Sequence, residues 1–157
     1  MEKVKLSAEV VVEKIEFKIE EAKLRADLVV KENEYKIKEA EIKALLDKNM
    51  GDDNAQVKEA KEALHRADLA VKEAKEAIKE AKLRADLAVK EIEFKIKEAE
   101  LKELMTQGKG EDDAQVKVAN KALDDAREER NKASARLDEF TKTAAAPQGN
   151  PPFPSPF

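Results

Sequence analysis

A unit of 18 residues recurs along this chain. It reads VEKIEFKIEEAKLRADLV from Val12 to Val29, VKENEYKIKEAEIKALLD from Val30 to Asp47, VKEAKEAIKEAKLRADLA from Val71 to Ala88 and VKEIEFKIKEAELKELMT from Val89 to Thr106, with a shortened copy over 57–70. At about 3.6 residues per turn, 18 residues complete about five α-helical turns, so equivalent side chains return to the same angular position. Heptads drift and impose a left-handed supercoil, and 11-residue repeats a right-handed one; this period calls for little of either. The repeat therefore predicts long, straight helices with fixed faces.

Proline and glycine punctuate those helices. All five prolines lie within 147–157, and Gly51, Gly108 and Gly110 fall in two short breaks, where glycine can adopt the left-handed conformation that ends a helix. Each break runs on into Asp52-Asp53-Asn54 or Glu111-Asp112-Asp113, which can cap the next N-terminus and complement its dipole. The expected architecture is all-α: an elongated antiparallel bundle of three helices, over about 7–48, 55–106 and 114–142, occupying 1–146, with a Pro/Phe-rich extended tail at 147–157. A longer duplication agrees with this reading, since Ala22–Leu64 returns as Ala81–Leu123 and each copy holds a helix end, a turn and a helix start. Arrays grow in this way, each added helix covering an apolar face that its predecessor left open.

On a helical wheel the apolar residues of helix 1 separate into two stripes on nearly opposite sides. The first is Val12, Ile15, Ile19, Ala22, Ala26, Val29, Val30, Ile37, Ala40 and Ala44; the second is Phe17, Leu24, Leu28, Tyr35, Ile42 and Leu46. Helix 2 repeats the division with an alanine-rich first stripe from Val57 to Ile96 and a second stripe, strong only in its C-terminal half, at Leu83, Leu87, Phe94, Leu101 and Met105. Helix 3 has a single stripe from Val116 to Phe140. Small side chains let helix axes approach closely, so the alanine-rich faces are expected to close inside the monomer. That leaves the Phe/Leu stripes of helices 1 and 2 as the expected interface with another subunit or a partner helix. The alternative places helix 1 between the other two, with both of its stripes intramolecular.

Composition narrows the function. With 42% charged residues, both signs mixed and a net charge of −4, the 157-residue chain offers no basic footprint for nucleic acid. Lacking cysteine, it has no thiolate metal site, disulfide or cysteine nucleophile. The opening MEKVKLSAEVVVEK carries only a short apolar run between charges, which suits neither a signal peptide nor a membrane span and favours a cytoplasmic protein.

The local motifs read as structure. The word Glu-x3-Arg-Ala-Asp-Leu-x2-Lys occurs at Glu21/Arg25/Asp27/Lys31, Glu62/Arg66/Asp68/Lys72 and Glu80/Arg84/Asp86/Lys90. Its two i,i+4 acid–base pairs are each worth about 0.2–0.5 kcal/mol, a solvated edge that holds the helix. His65, the sole histidine, stands in the slot of Leu24 and Leu83 with no evident ligand set or nucleophile, and interrupts the second stripe. Asp47, Asn49 and Asp53 superficially suggest a calcium loop, but its sixth position is Asp52 and its twelfth Lys58, where such loops need glycine and glutamate. No catalytic, cofactor-binding or metal-binding set emerges. In the tail, Phe153 and Phe157 alternate with prolines and form a candidate docking peptide on a preordered extended backbone.

The sequence thus implies a non-enzymatic structural or assembly subunit that packs laterally, as a homo-oligomer or with a helical partner, into an oligomer, layer or filament. A coat on a lipid or hydrophobic granule surface is the first rival, weakened by polar edges as rich in glutamate as in lysine. A monomeric adaptor displaying the Pro/Phe tail is the second.

Overall fold

The computed structural model describes residues 2–48, 51 and 53–145. Among them the secondary structure is entirely helical: α1 (Glu2–Asp47), α2 (Ala55–Thr106) and α3 (Ala114–Ala145). Helix α1 begins earlier than residue 7 and α3 runs past residue 142, because neither stretch, 2–6 or 143–145, holds a glycine or proline to break the helix. Helix α2 packs against α1 and against α3. Phe153 and Phe157 lie outside the described residues.

The caps that open α2 and α3 repeat one another bond for bond. The Asn54 N–H donates to the Gly51 carbonyl and the Asp113 N–H to that of Gly110, each at 3.0 Å. Asn54 Oδ1 then accepts from the Gln56 N–H at 2.8 Å, and Asp113 Oδ1 from the Gln115 N–H at 2.7 Å. Each side chain thereby satisfies a donor that the first helical turn leaves orphaned. Behind the caps, Val57 and Val116 occupy matching places in the duplication and are the two largest fully buried side chains among the described residues. Of the three turn glycines, Gly108 alone has positive φ, at 82°. It ends α2 with the Lys109 N–H donating to Leu104 O (3.3 Å) and its own N–H to Met105 O (3.0 Å), the double bond pattern that a left-handed residue permits. Gly51 and Gly110 serve instead as carbonyl acceptors in the approach to each cap.

The chain divides into two compact units. Unit 1 comprises residues up to Lys18 and those from Glu80 onward, hence the start of α1, the second half of α2 and α3. Its buried apolar residues are Leu6, Phe94, Val116, Ala133 and Leu137, and ion pairs tie its helices, Lys3 to Glu100 at 3.3 Å and Arg136 to Asp86 at 3.6 Å. Unit 2, residues 19–79, is the hairpin of α1 and the first half of α2, with Val57, Ala74 and Ile78 buried.

Replacing either cap by alanine, Asn54→Ala or Asp113→Ala, should cost about 1 kcal/mol. Chemical denaturation of the two variants checks it, and equal losses are expected because the caps share one bonding pattern.

Candidate interaction surface

The motif edges are built largely as their spacing requires. Arg25 meets Glu21 at 2.9 Å, Arg84 meets Glu80 at 2.7 Å, Arg66 approaches Glu62 at 4.0 Å and Lys72 lies 3.3 Å from Asp68. The Asp–Lys step closes in the second copy alone: Asp27 and Lys31 form no ion pair, and the third copy departs from the ladder. There Asp86 reaches Arg136 of α3 and Lys90 pairs with Glu93 at 3.6 Å, so an acid that spacing assigns to its own helix joins two helices. All these pairs are solvent-exposed or nearly so, and each contributes little beyond register.

The Phe/Leu stripes are largely covered inside the chain. Phe17, in unit 1, and Leu24, Leu28, Tyr35 and Ile42, in unit 2, are half-buried, and Leu46 is 44% exposed. In the second half of α2, Leu83, Leu87 and Leu101 are half-buried, Phe94 is buried and Met105 is 54% exposed. Phe94 is capped by two guanidiniums from α3, Arg127 at 5.6 Å and Arg130 at 4.6 Å from the ring centroid, both within cation–π range. Nothing in the run DAREERN marks those arginines except their i,i+3 spacing, which sets both on one side of α3. Leu101 and Met105 also help to floor an open groove of about 800 Å³, rimmed by Glu2, Lys95, Glu98 and Lys102. Its mixed rim favours no charged ligand.

The first stripes divide unequally between the helices, and here the structure corrects the expectation that they close inside the monomer. On α2 the whole stripe from Val57 to Ile96 is at least half-covered, with Ala74 and Ile78 buried. The helix packed on both sides is therefore α2, not α1. On α1 the first stripe is open. In unit 1, Val4, Val11, Val12 and Ile15 are 50–72% exposed; in unit 2, Ile19, Val29, Val30 and Ile37 are 51–56% exposed, with Ala22, Ala26, Ala40 and Ala44 beside them and also exposed. The inversion has a simple cause: each Phe, Leu or Tyr removes more apolar area from water than a Val or Ala in the same place, so the bulkier face of α1 turns inward.

His65 is half-buried, and among the described residues no three or more His, Cys, Asp or Glu side chains converge as a metal site would require. Of the suggested calcium loop, Asp53 is exposed and Asn49 lies outside the described residues; the cap at Asn54 accounts for the local sequence. Among the described residues no helix is long and apolar enough to cross a membrane. Compared with protein families, curated proteins and solved structures, the chain matches none.

The two faces of α1 should respond oppositely to charge. Leu28→Glu should destabilise unit 2 by about 2 kcal/mol or more, through lost burial and a desolvated carboxylate. Ile37→Glu should change stability by no more than about 0.5 kcal/mol, as at other open positions. Urea midpoints measured on dilute protein decide the assignment, and equal midpoints would overturn it.

Proposed function

We propose that this protein is a non-enzymatic assembly subunit that joins its neighbours through the open Val/Ile/Ala face of α1. One observation carries the reading. Apart from Leu46 and Met105, every member of the other apolar stripes is at least half-covered, whereas the first stripe of α1 is exposed in both units. Contiguous exposed apolar strips of this kind mark interaction surfaces more often than they mark idle ones.

The magnitudes set the strength of the contact. In unit 2 the open stretch from Ile19 to Ala44 is about 40 Å long and, at a helix's width, about 400 Å² in area. Two such faces bury about 800 Å² together, below the usual range for stable complexes, which makes the association weak and dependent on concentration. The four large side chains on each are half exposed, so two faces gain about 6–12 kcal/mol from burial. Association costs about 4–15 kcal/mol, which leaves a modest balance. Unit 1 presents its own open stretch, Val4 to Ile15, as a second place of contact.

Mass measured by sedimentation across a wide concentration range tests the reading. Wild-type particles should grow with concentration, and the combined variant Ile19→Glu, Val30→Glu, Ile37→Glu should remain monomeric with helix content unchanged. A wild-type chain that stays monomeric up to millimolar concentration would sink the proposal.

A further inference from the structure

One slot in the open face breaks the apolar pattern. The fourth residue of each 18-residue unit is Ile15, Asn33, Ala74 and Ile92 in turn. Ala74 is buried and Ile92 half-buried, so the slot belongs to an apolar face wherever it is covered. In unit 2 of this chain it holds an amide, exposed, in the middle of the seam formed by Ile19, Ala22, Ala26, Val29, Ile37, Ala40 and Ala44. A single asparagine in an apolar helix seam fixes register and copy number at a cost in affinity, because it is satisfied only when a second polar group meets it across the contact. A partner with an unbroken apolar face would leave that amide desolvated and unpaired.

The charges beside the seam narrow the arrangement further. On unit 2's part of α1 and at its end, one flank carries Arg25, Lys36 and Lys43, and the opposite flank Glu34 and Glu41; Glu32 and Asp47 on the first flank and Lys23 and Lys48 on the second are the exceptions. Two helices packed parallel bring unlike flanks together, whereas antiparallel helices related by a two-fold axis bring like flanks together. Parallel, in-register packing sets Lys36 against Glu34 and Glu41 of the other copy, and Lys43 against its Glu41. Arg25 is already held by Glu21 at 2.9 Å, which lessens its repulsion toward Lys23 across the contact.

We infer that the occupant of this face is a second copy of the same face, packed parallel and in register, with the two Asn33 amides hydrogen-bonded to each other at the two-fold axis. This rests on the assembly reading above and adds partner, direction and register to it.

The chain has no cysteine, so single thiols can be placed without background. Ala26, Asn33 and Ala40 follow one another at steps of seven along the seam centre, whereas Glu20 points away from it. In a parallel, in-register pair each seam residue faces its own mate, so Ala26→Cys, Asn33→Cys and Ala40→Cys should all form disulfide-linked dimers under mild oxidation, and Glu20→Cys should not. An antiparallel pair allows at most one of the three to cross-link. The cross-linking is read at a concentration where sedimentation gives the wild-type dimer, with helix content checked for each variant. Associated wild-type protein whose seam thiols cross-link at one position or none overturns the parallel register and leaves the assembly reading standing. Protein that is monomeric at every concentration overturns both, and co-flotation of that monomer with phosphatidylcholine vesicles would give the face to a lipid surface. As an independent readout, Asn33→Val should raise the association constant about tenfold or more while broadening the particle mass beyond a single species; tighter binding with one unchanged mass would remove Asn33 from the role of register device.

Discussion

Coverage of apolar stripes is the constraint on which the rest depends. The 18-residue period keeps each stripe at one angle along its helix, and α1 and α2 carry two stripes apiece while α3 carries one. Only one helix can be covered on both sides when α2 is the common partner of α1 and α3. That helix is α2, whose first stripe is uniformly covered and whose second is covered as far as Leu101. Helix α1 must then choose which stripe to bury, and the choice falls on the one with the larger side chains.

The polar residues serve this arrangement locally and seldom decide it. Intrahelical pairs such as Arg84–Glu80 hold individual rods, and the caps at Asn54 and Asp113 fix where α2 and α3 begin. In unit 1 specific polar contacts join the helices: Arg136 reaches Asp86, Lys3 reaches Glu100, and Arg127 and Arg130 close over Phe94. An aromatic ring of the second stripe thus gains a cover that is itself charged, the guanidinium heads of the two arginines lying over the ring.

The helices and turns were legible in the sequence because their signals are local. Glycine, an acid or amide two or three residues later, and the restart of the apolar period are all read within one turn. Which stripe faces inward was not legible, because periodicity gives an angle and no neighbour. Small side chains mark the covered face on α2, where Ala74 is buried, but not on α1, where Ala22, Ala26, Ala40 and Ala44 are exposed. Spacing assigns Asp86 an intrahelical partner for the same reason, since Arg136 lies far along the chain. The signal at Asn33 was present in the repeat itself, as the one polar residue in its slot, but it gains meaning only once the face around it is known to be open.

Comparison of equivalent slots bears on whether that open face is incidental. The sixth residue of the unit is Phe17, Tyr35 and Phe94 where the second stripe is covered, and Glu76 where α2 exposes it. Where this slot meets water, then, it carries a charge. The first stripe of α1 has not been edited in this way: Val12, Ile15, Ile19, Val29, Val30 and Ile37 remain β-branched and apolar over a length in which every other exposed position is open to lysine or glutamate. β-Branched side chains do not favour an isolated helix, so helix propensity gives no reason to keep them on a solvated surface. A partner that covers them supplies the reason, and the single amide among them is the kind of residue that would tell that partner where to stop.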